Sequence, residues 1–132
     1  MKEKLVKEAI KAKENSYCPY SKFSVGAAAL FEDNVIYTGC NIENASYGAT
    51  NCAERTAIFN GVSKGNRKLK ALALIGSTKE FTYPCGMCRQ VMLEFAENDD
   101  MIIYIAKSEK EVIEIKMEDL LPGSFSKKDL GF

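Results

Sequence analysis

Residues 52–75 read CAERTAIFNGVSKGNRKLKALALI, and this stretch decides the class of fold. Its first half repeats apolar side chains at helical spacing and ends at Lys64-Gly65, where glycine is a common helix terminator. Its second half, from Leu69 to Ile75, is an apolar run with the length of a buried strand. The stretch therefore predicts a helix followed by a strand.

The flanking sequence extends this order of helices and strands. It predicts an amphipathic helix, a β-hairpin, a loop, a second helix and strand, a fifth strand and a short last helix. The amphipathic helix covers residues 5–15, the two hairpin strands cover 23–31 and 35–39, and the loop covers 41–50. The second helix and strand cover 85–98 and 101–106, the fifth strand covers 112–115, and the last helix covers 117–121. Such alternation favours helices packed on a buried sheet. We predict one domain over residues 1–132, a three-layer α/β/α fold with a five-stranded mixed sheet.

Charge and hydropathy narrow the class of partner. The chain has 18 Lys and Arg against 18 Asp and Glu, with no block of like charge, so it lacks the charge pattern of a protein that binds nucleic acid or a membrane surface. We expect a small, nearly neutral ligand, no nucleic acid and no membrane. The N-terminus lacks the apolar stretch of a secretion signal, and no run of about 18 apolar residues occurs. We therefore expect a cytoplasmic protein.

The chain has five cysteines and no histidine. Because the cytosol keeps thiols reduced, this odd number of cysteines favours metal binding or redox chemistry over a disulfide framework. The lack of histidine removes the usual acid/base residue and the commonest nitrogen ligand of zinc. Proton transfer must then fall to carboxylates, Cys, Lys or Tyr.

Three of the cysteines stand at predicted helix starts. The segment PCGMC at residues 84–88 holds two thiols that can face one point, which suits either a metal site or a thiol-disulfide oxidoreductase. Cys52 adds a third thiol at another helix start, with Glu54 two residues later. Three thiolates without histidine indicate a metal site with one coordination position open, as in catalytic zinc sites, unless Cys18 or Cys40 closes it.

Arg55 follows this group directly. Three thiolates on Zn²⁺ leave a net charge of about −1, which weakens the metal as a Lewis acid. A guanidinium group close to the sulfurs offsets that charge. We therefore predict that Arg55 tunes the charge of the metal site.

Four segments occur in order between residues 23 and 90: FSVGAA (23–28), CNIENASYG (40–48), CAERTA (52–57) and PCGMCRQ (84–90). The last two contain the pattern of a Cys, a Glu two residues later and a downstream PCxxC, which is characteristic of zinc deaminases of nucleobases. Together the segments resemble the short, homotetrameric, zinc-dependent cytidine deaminases of the cytidine/deoxycytidylate deaminase superfamily.

This resemblance implies a reaction. Cys52, Cys85 and Cys88 would hold one Zn²⁺ per subunit, which activates water for attack on C4 of the pyrimidine ring. Glu54 would be the general acid/base that moves the proton. The expected activity is hydrolytic deamination of cytidine and deoxycytidine to uridine and deoxyuridine, with release of ammonia, in pyrimidine salvage.

The resemblance also implies the substrate contacts. The nucleoside would meet residues of its own subunit and of a neighbour, in sites shared across a homotetramer. Glu43 is informative because a carboxylate accepts from a sugar hydroxyl and repels phosphate, which favours a nucleoside over a nucleotide. The expected contacts are Phe23, Asn41, Glu43 and Ala53 from one subunit and Ala45, Tyr47 and Phe125 from its neighbour.

Three alternatives stay open at this point. A deaminase acting on blasticidin S would share the catalytic motifs, although the 41–48 segment argues against it. A nucleic-acid-editing deaminase would need a basic groove and salt-dependent binding. A structural zinc module would close its metal shell with four ligands and would be indifferent to replacement of Glu54 by Gln.

Overall fold

The computed structural model describes all 132 residues. The chain forms helices α1 (Lys2–Lys13), α2 (Ala53–Ser63), α3 (Gly86–Phe95) and α4 (Met117–Leu120). The strands are β1 (Val25–Phe31), β2 (Ile36–Cys40), β3 (Leu69–Gly76), β4 (Ile102–Ala106) and β5 (Val112–Lys116). Two short 3-10 turns, Tyr47–Ala49 and Lys127–Leu130, lie in segments for which the sequence predicts no helix.

The five strands form one mixed sheet in the order β2-β1-β3-β4-β5. Strands β3 and β4 are parallel, because helix α3 crosses over between them. The other three neighbouring pairs are antiparallel, including the predicted β1–β2 hairpin. The predicted five-stranded mixed sheet is confirmed.

Each face of the sheet is covered by helices, which gives the predicted three layers. Alternate residues of β1 and β3 point to opposite faces, and both faces are covered, so the two strands are apolar except at Lys70 of β3. Helix α1 packs on one face through Leu5, Val6 and Ala9. Helices α2, α3 and α4 cover the other face through residues that include Ala53, Ala57, Ile58, Cys88, Met92, Met117 and Leu120.

Two glycines let the helices approach the sheet closely. A Cβ at Gly26 would clash with the backbone of α1 at Ala9 and Lys13, and a Cβ at Gly39 would clash with the backbone of α2 at Ala57. The absence of a side chain at Gly39 therefore places the first turn of α2 directly against β2. This contact positions the N-terminal end of α2 relative to the edge strand β2.

Several boundaries differ from the sequence prediction by one to three residues, and two of them do so for identifiable reasons. Strand β1 begins at Val25 rather than at residue 23, because the Phe23 carbonyl accepts from the Asn41 side chain instead of from a neighbouring strand. Helix α3 ends at Phe95 rather than near Asn98, because the chain turns there and Glu97 N–H donates to the Leu69 carbonyl. In both places a backbone group that the local pattern assigns to the strand or helix forms a hydrogen bond to a distant residue instead.

Helix length and polarity bear on membrane insertion. The longest helix, α1, has 12 residues with charged groups along it, so none of the helices suffices for a membrane crossing.

Candidate active site

Three cysteine sulfurs meet where α2 and α3 begin. Cys52 and Cys85 are the residues that precede these two helices, and Cys88 lies in the first turn of α3. The three sulfurs all lie within 4.8 Å of one another, and those of Cys52 and Cys85 are 3.8 Å apart. Two sulfurs at about 2.3 Å from a tetrahedral ion would be about 3.8 Å apart. We call these three residues the metal group.

The other two cysteines are not part of this cluster. The metal group contains Cys52, Cys85 and Cys88 only, and neither Cys18 nor Cys40 joins it. Burial differs among its members, since Cys88 is buried, Cys52 is half-buried and Cys85 is exposed. The group therefore offers three protein ligands and faces solvent on the side of Cys85.

Charge within the metal group is concentrated on Cys52. Its pKa falls to about 5, because Cys88 and Arg55 donate hydrogen bonds to its sulfur and Cys85 contacts it. The pKa of Cys88 moves in the opposite direction, because it shares its proton with Cys52, is buried and lies near the charge of Glu54. The opposite directions describe one shared proton, which Cys88 retains while Cys52 is the thiolate. A metal ion would displace that proton.

Arg55 supports the fit of a metal with this group. Its Nη2 donates to the Cys52 sulfur at 3.3 Å, while its Nε is buried and has no acceptor. A buried donor without a partner costs about 1–3 kcal/mol. Three metal-bound thiolates would keep a net charge of about −1 beside this guanidinium. The donor set and the arginine thus suit a soft divalent cation such as zinc.

Glu54 lies beside the metal group in the first turn of α2. Only 4% of the residue is exposed, which is unusual for a glutamate. Burial raises its pKa to about 7, and the negative charge of Cys52 acts in the same direction. A carboxyl group with this pKa takes up and releases a proton readily near neutral pH.

Asn41 holds the start of β1 in place. Its side-chain oxygen accepts from Val25 N–H at 2.9 Å, and its amide nitrogen donates to the Phe23 carbonyl at 2.8 Å. Asn41 is 8% exposed, so these bonds are largely shielded from water. The amide still has one N–H and one oxygen lone pair free for another partner.

Glu43 is bound by the turn that precedes β1. Its Oε1 accepts from the backbone N–H groups of Tyr20 and Ser21 at 3.0 and 3.1 Å, and its Oε2 accepts from the Ser21 hydroxyl. The hydrogen bond from Ser21 and those from the backbone hold the pKa of Glu43 below its usual range. The Ser21 hydroxyl is a site feature that sequence reasoning missed. Its signal is local, because Phe23 N–H donates to it across a two-residue serine turn.

A short bridge joins the segment around Asn41 and Glu43 to the metal group. Ile42 and Asn51 exchange two backbone hydrogen bonds, each 2.9 Å long, and Asn51 directly precedes Cys52. On its other side, Ile42 pairs with Tyr17. The segment that carries Asn41 and Glu43 is thus connected to the metal group through the Ile42–Asn51 pair. The sequence assigns this segment to a loop, and the pairing depends on contacts that have no local signal.

The remaining predicted contacts fall into two groups. Ala53 is fully buried at the start of α2, next to the metal group. Ala45, Tyr47 and Phe125 are exposed, and Tyr47 and Phe125 present 78% and 61% of their surface to solvent. The hydrogen bonds described above therefore bring Phe23, Asn41 and Glu43 together. The other predicted contacts stay on the surface of the chain, namely Ala45, Tyr47 and Phe125.

An α/β/α sheet that brings three thiols and a buried carboxyl group to two helix starts defines a metal-binding α/β protein with an acid/base group beside the metal site. Residues 1–105 match the family described as the cytidine and deoxycytidylate deaminase zinc-binding region. The chain belongs to this family. The family model describes a zinc-binding region, and in this chain Cys52, Cys85 and Cys88 are positioned to bind a metal ion.

Relatives and solved structures agree over nearly the full chain. Cytidine deaminase of Sporosarcina psychrophila is 53% identical over 130 residues, which cover 98% of this chain and 95% of the relative. Cytidine deaminase of Halalkalibacterium halodurans is 48% identical over 129 residues, covering 98% and 97%. The crystal structure of cytidine deaminase from Burkholderia pseudomallei superimposes with a TM-score of 0.86 at 42% identity, covering 92% of this chain and 97% of that chain. The predicted family and fold class are confirmed.

Proposed function

We propose that this protein is a zinc-dependent cytidine deaminase, which hydrolyses cytidine and deoxycytidine to uridine and deoxyuridine and releases ammonia. The observation that carries the proposal is the buried carboxyl group of Glu54 beside three thiols that are close enough together to hold a metal ion. The relatives that match nearly the whole chain are named cytidine deaminases, which supports the substrate.

In this proposal Cys52, Cys85 and Cys88 hold the metal, and Arg55 offsets the charge of the three thiolates. Bound zinc supplies Lewis-acid activation of water at neutral pH. Three protein ligands leave one position of a tetrahedral shell for a small molecule, in contrast to a closed structural site. Cys85, the exposed member, lies on the side from which substrate would approach.

Glu54 moves the proton in each step. It takes a proton from the attacking water as the water oxygen bonds to C4, and it delivers that proton to ring N3. It then takes the proton of the new C4 hydroxyl group and passes it to the exocyclic amine, which leaves as ammonia when the C4–N bond breaks and the C4 carbonyl forms. Burial keeps the carboxyl group away from bulk water and so keeps the proton within the site.

The sugar is held by Asn41 and Glu43, with Phe23 packed beside the nucleoside and Ala53 near the base. Asn41 has a free N–H, and Glu43 has lone pairs beyond the three hydrogen bonds that it accepts. A hydroxyl group, which both accepts and donates, complements this pair. The negative charge of Glu43 disfavours a phosphate at the same place.

We further propose a cytoplasmic homotetramer that functions in pyrimidine salvage. The exposed Ala45, Tyr47 and Phe125 would complete the pocket of a neighbouring subunit. Exposed aromatic side chains of this kind are typical of interfaces between subunits. Light scattering of the zinc-loaded protein tests the assembly, and a monomer would contradict it.

The decisive experiment follows the loss of absorbance near the cytidine maximum after addition of zinc-loaded protein. The Glu54→Gln variant and a chelated sample are measured alongside. We expect turnover by the wild-type protein alone, with zinc retained in Glu54→Gln. Failure to convert either cytidine or deoxycytidine would contradict the proposal. Much better turnover of blasticidin S would indicate the rival substrate instead.

A further inference from the structure

The turn formed by residues 20–23, which we call the Ser21 turn, supplies all the hydrogen bonds that the Glu43 carboxylate receives. Two come from backbone N–H groups and converge on Oε1. The third comes from the Ser21 hydroxyl and is the only one on Oε2. The orientation of Oε2 therefore depends on one side chain.

The same hydroxyl group holds a second part of the candidate nucleoside site. It accepts from Phe23 N–H at 3.0 Å, so one oxygen atom joins the Glu43 carboxylate to the backbone that carries the Phe23 ring. Lys22, which lies between Ser21 and Phe23 in the chain, adopts a left-handed backbone with φ of 60°, a conformation that non-glycine residues rarely adopt. The turn is thus held in an uncommon shape by contacts that converge on Ser21.

We propose that Ser21 is a positioning residue for nucleoside binding, because its hydroxyl group orients the Glu43 carboxylate and the Phe23 backbone as one unit. The inference rests on the proposed function, in which Glu43 and Phe23 contact the nucleoside. Ser21 acts through these two residues and has no direct role in the chemistry.

The position of Ser21 separates this role from a contribution to the core. The residue is exposed, so its replacement removes no apolar packing. In Ser21→Ala the two backbone N–H groups still hold Oε1, while Oε2 loses its partner and becomes free to turn toward water. Loss of a hydrogen bond to a charged group predicts a rise in KM for cytidine of about tenfold. The value of kcat should stay unchanged, since Glu54 and the metal group are not altered.

The test compares Ser21→Ala with Ser21→Thr, which keeps the hydroxyl group, in zinc-loaded protein. Ser63→Ala is the matched control, because the Ser63 hydroxyl donates only to the Asn60 carbonyl in the same helix. Each variant is assayed for KM, kcat, zinc content, Tm and the calorimetric Kd of uridine. The same substitution at position 21 is then made in a Glu43→Ala background, which completes a double-mutant cycle.

We expect KM and the uridine Kd to rise about tenfold in Ser21→Ala, to recover in Ser21→Thr and to stay unchanged in Ser63→Ala. In the Glu43→Ala background the effect of the substitution at position 21 should be clearly smaller, because only the bond to Phe23 N–H is then left to lose. Equal effects in both backgrounds, or a fall in kcat with loss of zinc, would overturn the inference. Absence of cytidine turnover by the wild-type protein would instead overturn the proposed function, and the uridine Kd values would still test Ser21.

Discussion

The metal group and the Ser21 turn differ in how the surrounding residues treat a nearby carboxyl group. In the metal group the charge lies beside a buried carboxyl group and a buried arginine Nε without an acceptor. In the Ser21 turn the Glu43 carboxylate is near the surface and accepts three hydrogen bonds. Burial favours the neutral form of Glu54, whereas the bonds favour the charged form of Glu43.

This difference indicates what each region contributes. A carboxyl group with a pKa near 7 exchanges protons, whereas a carboxylate fixed by three donors stays charged and acts as a constant acceptor. Substitutions in the metal group should therefore change the chemical step. Substitutions around the Ser21 turn should change binding or local stability and leave the chemical step intact.

The largest effect is expected for Cys88→Ser in the metal group. This variant loses one of three sulfur ligands, so zinc binding and measurable turnover should both be lost. Cys18→Ser is the matched control and should retain both, because Cys18 lies outside the metal group. Metal analysis after desalting and the absorbance assay check the outcome. Full zinc content with normal turnover in Cys88→Ser would show that Cys88 is not required as a metal ligand.

The next largest effect is expected for Glu54→Gln. The amide keeps the shape of the side chain and cannot exchange a proton, so kcat should fall by about 10²- to 10⁴-fold. Zinc content should remain at the wild-type level, because Glu54 is not among the three thiols. Glu118→Gln, on the short helix α4, is the control and should leave kcat unchanged. A small decrease in kcat for Glu54→Gln would assign the proton transfer to another group.

Asn41→Ala sharpens the boundary between the two regions. Asn41 is buried like Glu54 but bonds to backbone groups at the start of β1. Its removal leaves Val25 N–H and the Phe23 carbonyl without partners, so the free energy of unfolding should fall by about 2 kcal/mol. Urea denaturation measures this change, with Asn44→Ala in the exposed loop as control. An unchanged free energy of unfolding would show that water replaces both bonds.

The smallest effect is expected for Lys22→Gly in the Ser21 turn. Glycine relieves the left-handed backbone at φ 60° but adds freedom to the unfolded chain, so these contributions largely cancel. The free energy of unfolding should change by less than about 1 kcal/mol, and KM should stay within about twofold. Lys22→Val, which is branched at Cβ, should be less stable than Lys22→Gly. Equal stability of the two variants would contradict the strained geometry.

The elements of the fold were predictable from periodicity because most are bounded by local signals. Lys64-Gly65 ends α2, with Gly65 in a left-handed conformation, and Pro122-Gly123 follows α4. The exceptions are ends that depend on distant partners. Helix α3 stops before its predicted end because Glu97 N–H bonds to Leu69, 28 residues earlier in the chain. No local pattern carries that information.

The site was predictable to a different depth in its two halves. Cys52, Cys85 and Cys88 have distinctive spacing and chemistry, so the sequence identifies the metal group. The roles of Ser21 and of the Ile42–Asn51 pair were not predicted, because they depend on which loop residues meet in space. Roles in binding and catalysis assigned to individual residues stay predictions until the variants are measured.

The Ile42–Asn51 pair has a consequence for how such a protein diversifies. Its two hydrogen bonds close the intervening arc of residues and hold the two ends of that arc side by side. The arc itself is mostly exposed and has few constraints from the core. Insertions or substitutions there can alter what the molecule presents to a ligand or to another subunit without shifting Cys52. The pair thus separates the exposed residues that follow Glu43 from the metal group that begins at Cys52.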